Sequence, residues 1–180
     1  MKIKSTSTVL GVLAGIVLTC GALTPARAVA AAPAPPVVSA PATRAAFLEK
    51  TRFLGHAGVA FFAFHHFVYA RYQQGGFSSG TSGRVGNIAK AAVALLVSYH
   101  ELKSARDIAN KSKSPTLHLL AAPLNLVTGQ ANQVYQDMHG GHYNPNDIRG
   151  LNNSYNNFHN VASSGGYAIR DIPATVPGAA

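Results

Sequence analysis

The sequence predicts an all-α domain, built as a small up-and-down bundle of about four helices. Three observations predict this class. Apolar residues recur at three- and four-residue spacings in four segments, and short loops rich in Gly, Pro and Asn separate those segments. A third is that no segment sustains the alternation of apolar and polar residues that is typical of a strand. The predicted helical domain covers residues 44–163.

The first predicted helix, Arg44–Gln74, contains no proline, and residues 53–70 within it carry no Asp, Glu, Lys or Arg. At about 100° per residue, one apolar stripe is formed by Phe47, Leu54, Phe61, His65, Val68 and Tyr72. Phe64 and Phe67 lie toward the opposite side, so the helix is apolar most of the way round. Such a helix is expected at the centre of a bundle, or against lipid or a partner.

The second predicted helix runs from about Asn87 to Asn110, with Asn87 as its N-cap. Its stripe has a four-three-four-three spacing and consists of Ile88, Ala92, Leu95, Tyr99 and Leu102. His100 is expected at the margin of the stripe, and Glu101 on the solvent side.

The third predicted helix has the clearest start, because Ser114 is a good N-cap and Pro115 suits the first helical position. An unbroken three-four repeat follows, formed by Leu117, Leu120, Leu124, Val127, Ala131, Val134 and Met138. Pro123 removes the hydrogen bond to the Leu119 carbonyl, so we expect a kink or a break there.

The fourth predicted helix follows Asn144-Pro145, with Asn146 or Asp147 as its cap. Its stripe is formed by Ile148, Leu151, Tyr155, Phe158 and Ala162. The other face carries amides, which form either a neutral solvated face or a surface that grips glycan or peptide: Asn152, Asn153, Asn156, Asn157 and Asn160.

The two ends of the chain differ from the helical domain in composition. Residues 1–28 read as a secretory signal, with Lys2 and Lys4 before an apolar run and a small-x-small cleavage pattern ending at Ala28. Cleavage after Ala30 and lipidation at Cys20 remain open alternatives. Residues 29–43 are rich in Ala and Pro and predict an extended linker, and residues 164–180 predict a flexible tail.

Removal of the signal changes which chemistries the chain can support. The single cysteine leaves with it, which excludes disulfides, thiolate nucleophiles and Cys-ligated metal sites from the mature chain. The balance becomes 12 basic and 6 acidic residues, a net charge of +6. This charge suits contact with anionic cell-wall polymer or lipid headgroups, whereas scattered basic residues and export argue against nucleic acid.

The sequence does not predict an enzyme, and it nominates no catalytic residue. The stretch Gly76–Gly80 matches the nucleophile-elbow pattern around Ser78, but that motif needs a strand before it and a helix directly after it. The acids form no di-iron, metalloprotease or glycosidase pattern. No cofactor is predicted.

Histidine and tyrosine side chains remain as candidate binding residues: His65, His66, His100, Tyr69 and Tyr99. His65 is either a core histidine that hydrogen-bonds to a neighbour or a ligand. If His65, His66 and His100 converge from adjacent helices, they offer nitrogen ligands to a metal or haem. The spacing alone does not predict a metal site.

Four stretches carry a resemblance to known sequences: Phe47-Leu48, Phe53–Gly58, Ala63–Tyr69 and Ser98–Lys103. With their F-H-H and Y-H-E-L-K motifs, they resemble an uncharacterised family of small secreted actinobacterial proteins. The resemblance covers the first two helices and does not extend to the Asn-rich fourth helix. It implies export and helical structure, and it implies no activity.

The sequence therefore predicts a secreted, non-enzymatic helical protein that binds or organises a component of the cell envelope. The first alternative is a protein that inserts into or associates with the membrane, in which residues 53–70 enter lipid. The second is a histidine-ligated metal or haem carrier, and the third is a hydrolase that acts through Ser78. The sequence indicates no oligomeric state.

Overall fold

A computed structural model describes residues 40–179, with side chains from residue 43 onward. The predicted signal and most of the predicted linker lie outside the described residues. The first helix, α1, begins with Ala40–Phe62, continues through a π-helical turn at Ala63–Tyr69 and ends with Ala70–Gln73. Three further helices follow: α2 (Arg84–Lys111), α3 (Pro115–His139) and α4 (Pro145–Ser164).

The four helices form an up-and-down bundle, which confirms the predicted fold class. The Ser112 hydroxyl at the end of α2 donates to Glu49 near the start of α1 at 2.7 Å. At the opposite end, Arg71 donates to the Asn87 side chain at 2.9 Å, so α1 and α2 are antiparallel. Aromatic contacts tie α1 to α4, since the Phe61 ring lies 4.7 Å from the Tyr155 ring. Residues 40–179 contain no strand.

The predicted stripes of α3 and α4 are buried along their whole length, from Leu117 to Met138 and from Ile148 to Ala162. The stripe of α2 is buried except at Tyr99, which is half-buried. The Ser114 side chain accepts a hydrogen bond from the Leu117 amide, and Pro115 occupies the first turn of α3. These elements follow from periodicity and capping alone.

The predicted stripe of α1 is only partly correct: Phe61 and Val68 are buried, but the first half of the helix buries a different face. Phe47 is 67% exposed, whereas the buried face is formed by Phe53, Ala57, Ala60, Phe61, Phe64 and Val68. Phe64, expected on the far side, is fully buried. The physical reason is that a helix that is apolar most of the way round does not mark its own buried face.

Two predicted helix starts are also wrong. Helix α2 begins at Arg84, after Gly83 in a left-handed conformation (φ 73°), so Asn87 is not its cap. The Asn87 side chain instead donates to the Gly76 carbonyl at 3.1 Å and holds the preceding loop. Helix α4 is capped by Asn144, whose side chain accepts from the Asn146 amide, and Pro145 takes the first position.

Helix α3 is not broken at Pro123, which lies inside it. Proline deprives the Leu119 carbonyl of its helical donor. Leu119 is 73% exposed, so this carbonyl belongs to the outer face of the bundle, where water can replace the missing donor.

The segment that follows α4 has no regular secondary structure, yet it packs on the bundle. Tyr167, Ile169, Val176 and Ala179 are buried. The Ile172 amide donates to the Gly58 carbonyl at 3.0 Å, and the Tyr167 ring meets Phe53 edge-on at 5.6 Å. These residues belong to the folded domain and differ from the flexible tail that the composition predicts.

Candidate functional site

The histidine motif of α1 coincides with the π-helical turn, a feature that is often found at functional sites. His65 is half-buried, and its Nδ1 lies 3.1 Å from Asp171 Oδ2 in the C-terminal segment. Its ring also contacts Phe61 edge-on at 5.6 Å. His65 therefore ties the C-terminal segment to α1, as a hydrogen-bonded histidine at the edge of the core.

The other predicted binding residues lie apart from that pair. His66 is exposed and stacks on Phe62 at 5.1 Å, and Tyr69 stacks between Phe64 and Tyr72. On α2, exposed His100 contacts its neighbour Tyr99. Within residues 40–179, no three His, Cys, Asp or Glu side chains form a group that could hold a metal ion. The structure therefore does not gather these histidines into a ligand set.

A polar network is buried beneath the π-helical turn. The hydroxyl of Ser98 donates to the Ala60 carbonyl at 3.0 Å, and it also hydrogen-bonds to the hydroxyl of fully buried Tyr155. The Tyr155 ring stacks flat against Phe64, with centroids 4.5 Å apart. Burial raises the pKa of the Tyr155 hydroxyl well above its ordinary value of 10.0; the bond to Ser98 lowers this pKa, and the charge of Asp171 adds to the rise.

Sequence reasoning missed a second histidine–carboxylate pair. His56 Nδ1 lies 2.6 Å from Glu101 Oε2, across the contact between α1 and α2. Glu101 was expected on the solvent side, but its side chain is 29% exposed and faces α1. Pairing of two antiparallel helices brings these residues together, and neither helix contains that information by itself.

An open groove of about 490 Å³ lies between α2 and α3. Its lining is mostly apolar and consists of Arg84, Val85, Ile88, Ala89, Ala92, Val93, Leu96, Tyr135, Met138, His139 and Gly141. Among these lining residues, Arg84 and His139 are the basic groups and there is no acidic group. Val85 at its edge is 78% exposed.

The sequence carries a weak signal for this groove. Ala89 and Ala92 stand on α2 where larger side chains would close the gap to Tyr135 and Met138 on α3. Periodicity identifies Ala92 and Met138 as buried, but it cannot show that small side chains leave space between two helices. None of the residues selected from the sequence as candidate ligands lines this groove.

The nucleophile-like stretch lies in a loop between two helices. The Ser78 amide donates to the Gly75 carbonyl at 3.0 Å, and the Ser78 side chain is exposed. Because the described residues contain no strand, the strand-to-helix turn that gives such a serine its geometry is not formed there.

The fold and this groove together define a small all-α bundle with a mostly apolar groove between two of its helices. Comparison with protein-family models, curated proteins and solved structures finds no match to the chain. The resemblance to secreted actinobacterial proteins therefore stays a prediction from the sequence.

Proposed function

We propose that this protein is a secreted, non-enzymatic binding protein of the cell envelope, and that the groove between α2 and α3 is its binding site. The groove is the observation that carries the proposal. Its volume of about 490 Å³ falls within the range of roughly 300–1,000 Å³ that is typical of small-molecule sites. Its apolar lining suits the apolar part of an envelope component.

The envelope as the place of action rests on the N-terminal sequence and on charge. Residues 1–28 have the three parts of a secretory signal. The mature chain would carry a net charge of +6, which favours anionic surfaces. Peripheral contact with a membrane or with cell-wall polymer is consistent with both features.

Membrane association is kept as the second candidate because one helix among the described residues, Thr43–Gln73, is long and apolar enough to cross a membrane. Yet 44% of its most apolar window is buried, and the face around Phe53, Phe61 and Phe64 forms part of the bundle core. Insertion would expose this core, so the folded bundle favours the soluble interpretation. A metal or haem role gains no support from the separate positions of His65, His66 and His100.

The localisation is tested by the intact mass of the protein recovered separately from medium and membranes. We expect a chain that starts at Val29 or Ala31 in the medium. A lipid-modified chain that starts at Cys20, or a cleaved chain that stays with membranes after a salt wash, would contradict the proposal and favour the membrane alternative.

The binding site is tested with N-phenyl-1-naphthylamine, a neutral dye that fluoresces in apolar surroundings. We expect the folded wild-type chain to bind the dye. Ala89 is exposed at the groove, so Ala89→Trp fills it from the solvent side and abolishes binding. Ala122→Trp is the matched control, because Ala122 is exposed on α3 outside the groove and should leave binding unchanged. Equal binding by both variants would refute the site.

A further inference from the structure

We propose that the groove holds the hydrocarbon chain of a monomeric, single-chain anionic amphiphile, with the anionic headgroup at Arg84 and His139. This inference rests on the proposed function, since it names the ligand class of the same groove. It adds a charge requirement that the binding proposal does not contain.

The shape of the groove suits a chain better than a compact ring. Its residues on α2 extend from Arg84 to Leu96, which is about 18 Å along a helix at 1.5 Å per residue. The side chains between these ends are apolar: Val85, Ile88, Ala89, Ala92 and Val93. Burial of methylene groups along this path favours binding. An extended apolar chain meets this lining along its whole length.

The basic side chains of the groove are confined to one end. Arg84 is in the first turn of α2 and His139 is the last residue of α3, so both stand at the same end of the antiparallel pair. With no acidic side chain in the lining, this end is complementary to an anion.

The Arg84 side chain is held in position by the loop before α2. Its Nε donates to the Phe77 carbonyl at 2.8 Å, and Phe77 is itself buried. That bond does not use the hydrogens on the two Nη atoms. A guanidinium group can bind a carboxylate or phosphate through two parallel hydrogen bonds from such atoms. A fixed guanidinium loses less freedom when it binds an anion.

A free amphiphile fits this geometry better than a bilayer surface. The groove lies between two helices and receives one chain at a time, whereas contact with a bilayer requires a convex apolar or basic face. The occupant is therefore a single molecule that has left its membrane or micelle.

The test compares dodecanoate with 1-dodecanol, which share a chain and differ in headgroup charge. Each should displace N-phenyl-1-naphthylamine from the full mature chain at neutral pH, with dodecanoate kept below its micelle concentration and 1-dodecanol below its solubility limit. We expect dodecanoate to bind at least about tenfold more tightly, because charge-assisted hydrogen bonds are the stronger kind. Ala89→Trp should abolish the binding of both.

The charge requirement is tested at Val85, which is exposed and makes no hydrogen bond through its side chain. Val85→Glu should lower dodecanoate affinity more than dodecanol affinity and so remove the preference for dodecanoate. Val85→Gln, of the same size and neutral, should keep the preference. Arg84→Gln should lower dodecanoate affinity about tenfold. Circular dichroism and thermal melting confirm that each variant is folded.

The outcomes separate the two proposals. If wild type binds dodecanol as tightly as dodecanoate, the headgroup assignment is overturned and the groove stands. If neither ligand nor the dye binds, the proposed function fails. If the protein binds anionic phosphatidylglycerol vesicles equally well with and without Ala89→Trp, and dodecanoate does not bind, a membrane surface replaces the monomeric amphiphile.

Discussion

The buried hydroxyl pair formed by Ser98 and Tyr155 makes a sharp prediction about folding energetics. In Ser98→Ala, the Tyr155 hydroxyl stays buried and loses its partner. In Tyr155→Phe, the Ser98 hydroxyl still donates to the Ala60 carbonyl. Both variants remove the Ser98–Tyr155 hydrogen bond, but Ser98→Ala also removes the bond to the Ala60 carbonyl and leaves the Tyr155 hydroxyl without a partner.

The magnitudes follow from what each variant leaves unsatisfied. An orphaned buried polar group costs about 1–3 kcal/mol, so Ser98→Ala should lower the free energy of unfolding by that amount. Loss of a single net hydrogen bond costs about 0.5–1.5 kcal/mol, which is the expectation for Tyr155→Phe. The double variant leaves no orphan, so its cost should be smaller than the sum of the two by about 1 kcal/mol.

Urea unfolding followed by circular dichroism measures these values, provided that the dependence on urea is the same for all four proteins. Ser104→Ala is the control, because its hydroxyl donates only to the His100 carbonyl within α2 at an exposed site. It should change stability by less than about 0.5 kcal/mol. Additive effects of Ser98→Ala and Tyr155→Phe would refute the direct pairing of the two hydroxyls.

Three further predictions concern packing and ionisation. Leu95→Ala should cost about 2–5 kcal/mol in urea unfolding, whereas Leu119→Ala, at a 73% exposed site, should cost less than about 0.5 kcal/mol; similar losses would contradict the assigned core. Gly58→Ala would place a Cβ 2.5 Å from the Arg170 carbonyl and should lower the melting temperature, whereas Gly55→Ala, with open space around its Cβ, should raise it. The raised pKa of Tyr155 means that the unfolded chain loses this proton first, so stability should fall as pH rises above about 10. Tyr155→Phe should reduce this fall in alkaline urea titrations; an unchanged slope would contradict the raised pKa.

Helices α3 and α4 were predictable because each has one unbroken apolar stripe at helical spacing. Their stripes, from Leu117 to Met138 and from Ile148 to Ala162, are buried as expected. For such helices, the hydrophobic period predicts which face is buried as well as the presence of the helix. The Ser114 cap was predictable for the same reason, since it depends only on local chemistry.

The orientation of α1 was not predictable from its period. Phe47, Phe53, Phe61 and Phe64 cover more than one side of the helix, and small residues decide which side faces the bundle. Gly58 lets the C-terminal segment approach the backbone of α1, and a side chain there would collide with Arg170. Such a contact depends on a segment more than a hundred residues away.

The candidate site was less predictable than the fold, because it depends on space between helices. Sequence reasoning selected histidines, and two of the chain's histidines do pair with carboxylates: His65 with Asp171 and His56 with Glu101. Only His65 had been selected, and its carboxylate partner lies in the predicted tail. The groove exists because the side chains of Ala89 and Ala92 are small. No sequence motif marks such a space between two helices.

The two sides of the bundle differ in a way that bears on binding. Between α1 and α4, the π-helical turn lays Phe64 flat on Tyr155, and the hydroxyl of Tyr155 is fixed by Ser98. Tight packing and a satisfied polar network oppose opening on that side. The groove lies on the other side, between α2 and α3, where Val85 and Ala89 are already exposed. A ligand can therefore enter without separating the core, and occupancy of the groove should stabilise the bundle by mass action without a change in helix content.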